Sequence, residues 1–170
     1  MPDEWKFSFL KIWSFFVMKL GRSVVYHITV PKGLRAKLLS YCKNKGGNLT
    51  HFIPPALHYF LGMDQEQLKK ILKEYGDLTL TKALRTKKYY YEPLRDKLEK
   101  RISVQFSIPR FLVEELEKFC KENEYKRAHI TSASIYHFLS LNKRHQVEIV
   151  TQFGEYCLAR VLIGLEEIMN

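Results

Sequence analysis

Between residues 21 and 63 the chain carries six basic side chains, Arg22, Lys32, Arg35, Lys37, Lys43 and Lys45, and no acid. A stretch of that charge attracts polyanions, so nucleic acid is the first partner to weigh and an anionic membrane surface the second. The excess fades along the chain. Residues 64–101 give +4, residues 102–170 give −1 and the first 20 give +1, within a net +10 from 28 basic and 18 acidic residues. Phosphate affinity, which arises from counterion release, is therefore expected mostly from the first half and the segment after it.

Other chemistry is sparse. Cys42 and His51 recur at the same spacing as Cys120 and His129, but that spacing matches no common zinc motif, and both cysteines fall where a helix would bury them as small hydrophobes. With Cys157 they form an odd set without CxxC pairs, which fits a reducing, cytoplasmic setting. No glycine-rich phosphate loop, nucleophile elbow or HExxH occurs, and the carboxylates are scattered, so neither an enzyme nor a bound metal or cofactor is expected.

The segment Trp5 to Leu20 is aromatic and apolar but holds Lys6, Lys11 and Lys19, too short and too charged to span a bilayer. Asp3 and Glu4 stand where a signal peptide would be basic. The segment reads as a packing arm, not a membrane element. Trp5, Phe9, Trp13 and Phe16 at helical spacing suggest self-association through this arm, or through the apolar C-terminal tail. Tyr89 to Tyr91 beside Lys87 and Lys88 could stack on unpaired bases, though packing of a linker is the simpler reading.

The elements that position these groups come from an internal duplication. A slide of 78 positions lays residues 23–77 on 101–155 without a gap and gives 10 identities, among them Pro31/Pro109, Leu38/Leu116, Cys42/Cys120, Phe60/Phe138 and Gly76/Gly154. In each copy residues 24–30 or 102–108 alternate in period two, which predicts a half-buried strand. Tyr26, Ile28, Val104 and Phe106 lie on the apolar face, whereas Val25, His27, Thr29, Ser103, Gln105 and Ser107 lie on the other. After each proline the period becomes helical, through Leu34, Leu38 and Cys42 or Leu112, Leu116 and Cys120.

A second amphipathic helix follows in each copy. In the first, Pro54 and Pro55 predict a late start near Ile53, because proline beyond the first turn loses a helix hydrogen bond. Asp64 and Asn142 are placed to cap third helices that Gly76 and Gly154 would close. A lone strand has no ladder partner. The two strands are therefore expected to pair antiparallel, over four helices, with pairing of like copies between two chains as the rival arrangement.

This strand, proline, helix, turn, helix order resembles the ribbon-helix-helix family of DNA-binding proteins, over about 40 residues in each copy. The resemblance implies a mainly helical protein with a two-stranded antiparallel β-ribbon, a tandem pseudo-dimer with extra helices. It is similar to the covalently joined forms found among small regulators encoded by viruses of hyperthermophilic archaea, which would place it in a host cytoplasm. It further implies a sequence-specific regulator of transcription that reads the major groove of double-stranded DNA with Val25, His27, Thr29, Ser103, Gln105 and Ser107. Phosphates would be held by Arg22, Lys32, Arg35, Asn48, Thr50, Arg101, Arg110, Lys126 and Arg127. The alternative is an antitoxin-like interaction or assembly module. The expected organisation is an arm at 1–21, copies with their third helices at 22–77 and 101–155, a basic linker at 78–100 and a C-terminal helix at 156–170.

Overall fold

A computed structural model describes residues 23–85 and 100–169; the aromatic arm, Arg22 and the tyrosine run of the linker lie outside the described residues. The described elements are β1 (Ser23–Pro31), α1 (Lys32–Lys45), α2 (Leu49–Leu61), α3 (Gln65–Arg85), β2 (Arg101–Pro109), α4 (Arg110–Asn123), α5 (Arg127–Ser140) and α6 (Lys143–Met169). The fold is mainly helical. Its two strands pair antiparallel within the one chain, from Ser23 opposite Pro109 to Pro31 opposite Arg101.

Period-two alternation is why these segments are strands. Tyr26, Ile28, Val30, Val104, Phe106 and Ile108 all turn inward and are buried, beneath the stripes of α1 and α4. Helices α2 and α5 pack on each other and cross over, α2 against β2 and α5 against β1, so each copy completes the other's core. Phe52, Ile53, Leu57, Phe60, Ile130, Ile135 and Phe138 fill the centre at 1% exposure or less. Each such side chain contributes roughly 1.5–3 kcal/mol by leaving water. The Tyr41 ring stands edge-on to Phe52 at 5.0 Å and to Phe138 at 5.7 Å, linking the two copies. Buried Gln146 adds a polar tie: its Oε1 accepts from the Tyr41 hydroxyl at 3.1 Å and its Nε2 donates to the Phe138 carbonyl at 3.0 Å.

Pro31 and Pro109 end the strands at nearly the same backbone angles and lead at once into α1 and α4. The first N–H of α1, on Lys32, donates to the Lys100 carbonyl at 2.9 Å and closes that end of the ribbon. Helix α1 stops at left-handed Gly46, whose neighbour Gly47 donates to the Cys42 carbonyl at 2.9 Å. In the second copy Glu124 takes the left-handed role at φ 59°, the one non-glycine residue with positive φ among the described residues.

Two helix boundaries differ from expectation. Helix α2 starts at Leu49, not near Ile53, and runs through Pro54 and Pro55. Its first turn is braced where the Asn48 N–H donates to His51 Nδ1 at 3.1 Å, and both proline rings are buried, which offsets the donors they lack. Asp64 and Asn142 do cap the third helices, accepting from the N–H of Glu66 at 3.1 Å and of His145 at 2.9 Å. Neither Gly76 nor Gly154 ends them. Both glycines stay helical, so α3 continues to Arg85, and α6 to Met169 with no separate helix at 156–170. A mid-helix glycine costs only about 0.5–1 kcal/mol, less than the burial of Phe153 and Cys157 on either side of Gly154 returns.

Candidate nucleic-acid interface

With one face of the ribbon in the core, its other face is free. Ser23, Val25, His27 and Thr29 on β1 and Arg101, Ser103 and Gln105 on β2 are exposed, Val25 at 57%. Ser107 is half-buried. The register sets His27 opposite Gln105 at the ribbon's centre, with Val25 opposite Ser107 and Thr29 opposite Ser103 to either side. Five of the six residues expected to face solvent therefore share one open surface, and the sixth is partly covered by the start of α2.

That cover is a hydrogen bond: the Ser107 N–H donates to Thr50 Oγ1 at 3.0 Å. Thr50, expected at a phosphate, already serves the free edge of β2. On the edge of β1 the repeat places Ala128 where Thr50 stands, and a different group acts there. Arg101 Nη2 donates to the Thr29 carbonyl at 2.7 Å and to Ser132 Oγ at 3.4 Å, while its Nε donates to Thr29 Oγ1 at 3.4 Å. The two edges of a formally repeated ribbon are thus held by unlike side chains. An unpaired strand edge invites unwanted pairing, so both devices also protect the fold.

Beside β1 lies a groove of about 770 Å³, lined by His27, Thr29 and Ser103 of the ribbon, Glu117, Cys120 and Lys121 of α4, and Tyr125, Lys126 and Arg127 leading into α5. Lys126 caps α5 with an extended backbone and is exposed. Helix α5 therefore offers its unpaired N–H groups near two lysines, a setting that favours an anion. Arg127 is partly engaged: its Nη1 donates to Glu117 Oε1 at 3.0 Å, and its guanidinium lies 5.8 Å from the centre of the Tyr26 ring. Burial raises the Tyr26 hydroxyl above its usual range, opposed by Arg127.

The remaining cations divide between the copies. Lys32 and Arg110 are exposed and open α1 and α4 straight after the strands. Arg35 is half-buried, and its Nε is buried without a hydrogen-bond partner among the described residues. Asn48 is exposed beside the α2 start. Lys121, Glu117 and Tyr125 join the groove although sequence reasoning gave them no role there. The signal for Lys121 was present in the Cys-Lys pair shared by both copies at 42–43 and 120–121.

The histidines and cysteines offer little catalytic chemistry. Burial pushes the thiols of Cys42 and Cys157 up to about 11 and about 12, away from reactive thiolates. His58 sits among Phe153, Tyr156 and Phe111, with ring centres 5.4, 4.6 and 6.4 Å away, and burial holds it below its ordinary value. Among the described residues no group of three or more His, Cys, Asp or Glu could hold a metal ion, and no helix is long and apolar enough to cross a membrane. No protein-family model matches the chain, and neither curated proteins nor solved structures give a match.

Proposed function

We propose that the protein is a sequence-specific double-stranded-DNA-binding regulator of transcription, a tandem ribbon-helix-helix protein whose β-ribbon enters the major groove. The observation that carries this reading is the exposed antiparallel ribbon face, with His27 and Gln105 at its centre and the lysine-lined groove at its flank. A two-stranded ribbon fits the width of the B-DNA major groove, where base edges carry a distinct donor and acceptor pattern.

Each side chain suits a part of that task. Gln105 can bond an adenine on two atoms, His27 can donate to guanine, and Val25 can touch a thymine methyl. Lys32, Arg110 and Lys126 stand where the ribbon gives way to helices and can bond backbone phosphates, which sets register without reading sequence. Arg127 joins them if it exchanges Glu117 for a phosphate.

Titration of a labelled random duplex over a salt series tests the reading. Binding that falls linearly in log affinity with log salt, with a slope of roughly −4 for four to five phosphate contacts, supports it. Absent binding, or binding indifferent to salt, overturns it. Selection from a random library then gives the preferred site.

A further inference from the structure

Arg101 belongs to the outward face rather than to its border. It lies two residues before Ser103 on β2, so its side chain leaves the ribbon on the same side as Ser103 and Gln105, and it is exposed. Across the ribbon it faces Pro31. From there the side chain passes over β1: Nε approaches Thr29 Oγ1, itself outward-facing, and Nη2 reaches the Thr29 carbonyl and Ser132 Oγ. Among the described residues Nη1 has no hydrogen-bond partner.

We infer that Arg101 is a specificity-determining residue that selects guanine at one outer position of the DNA site, an inference that rests on the DNA-binding reading above. A phosphate clamp works by flexible reach from a flank, but this guanidinium is tied at two of its three nitrogens, at the corner where the outward face at Thr29 meets the free edge of β1. What it still offers is a pair of protons and no acceptor. Guanine is the base that shows two acceptors side by side, O6 and N7, in the major groove; adenine sets a donor beside N7, and cytosine presents a donor.

Among the described residues the device exists at one end alone. At the equivalent position of the first copy stands Ser23, short and uncharged, and the neighbouring edge there is served by Thr50. The guanine preference is therefore expected on one side of the site without a counterpart on the other. This goes beyond the unlike central residues, because it assigns the asymmetry to a named corner of the ribbon and to a named base.

The test is selection from a random duplex library with the full chain, in its natural form and as Arg101→Ala, Arg101→Lys and Arg101→Gln, with the salt slope of each. The natural chain should recover a guanine at one outer position, and Arg101→Ala should lose that preference, roughly ten- to hundredfold, while the other positions keep theirs. Arg101→Gln should move the preference toward adenine at that position. If removal of the guanidinium loosens the β1 edge, the base recovered with Gln or Lys still reports the reading role, because identity at one position does not depend on total affinity. A uniform loss on all sequences, with the slope smaller by about 0.9, makes Arg101 a phosphate contact and overturns the inference alone. Selected sites without an outer guanine also overturn it. Failure of the natural chain to bind any duplex overturns the DNA-binding reading, and this inference with it.

Discussion

His27 and Gln105 face each other across the ribbon, and they are also the same position of the two repeats, 78 residues apart. A pairing that joins equivalent positions puts the axis relating the copies between these two side chains. They should therefore contact adjacent positions at the centre of a DNA site, and their difference should make that centre asymmetric. His27→Gln places glutamine on both sides, so sites selected by that variant should gain symmetry at the centre. Gln105→Ala should relax preference on one side of it, and equal losses on selected and random DNA would remove the reading role of Gln105.

Lys32 opens α1 with its N–H bound to Lys100 and its side chain exposed. Lys32→Ala should weaken binding to all sequences alike and reduce the salt slope by about 0.9, one phosphate. Anisotropy titrations at several salt concentrations measure both, and a loss confined to selected sequences would instead place Lys32 at a base.

Two glycines should respond oppositely to alanine. A Cβ on Gly154 would meet nothing within 4 Å, in a helix that has no need of glycine. Gly154→Ala should therefore stabilise the fold by about 0.5–1 kcal/mol, a rise of roughly 1–4 °C in melting temperature. A Cβ on Gly47 would stand 2.6 Å from Cε2 of Phe52, a ring packed at 1% exposure. Gly47→Ala should cost about 1–3 kcal/mol. Calorimetry on the two variants checks both signs.

Thr131 occupies in α5 the place that Ile53 holds in α2, fully buried, with a hydroxyl that has no hydrogen-bond partner among the described residues. An unsatisfied buried hydroxyl costs roughly 1–3 kcal/mol. Thr131→Val keeps the shape and removes that oxygen, so chemical denaturation should show a variant at least as stable as the natural chain.

Three half-buried histidines set a pH dependence. Burial, and for His58 and His129 a nearby arginine, lower the affinity of His58, His129 and His137 for protons below the ordinary value of 6.5. The unfolded chain then binds more protons, so stability is complete above about 6.5 and declines as pH falls below it toward the folded values. Melting temperature should be lower at pH 5.5 than at pH 7.5, and His58→Gln should reduce that difference. An unchanged difference in the variant would assign the effect to the other two.

The two strands and their buried faces were legible in the sequence because alternation fixes side-chain parity and puts Tyr26, Ile28, Val104 and Phe106 on the inward side; that they pair within one chain, and in which register, is visible only in the fold. The caps at Asp64 and Asn142 were legible for the same local reason. What escaped depends on contacts distant in sequence. Thr50 meets Ser107 over 57 residues and Arg101 meets Thr29 over 72, and no local pattern announces either. The early start of α2 and the passage of α6 through Gly154 follow from burial that outweighs residue propensity, which only the packed core makes visible.

Both strands of the ribbon are drawn from a single polypeptide. A ribbon shared by separate subunits dissolves on dilution, because its assembly obeys mass action. Here the tether replaces that equilibrium, so the ribbon needs no second chain to form. Melting midpoints should stay the same across a hundredfold range of protein concentration, and the copies, released from any need to match, can diverge residue by residue.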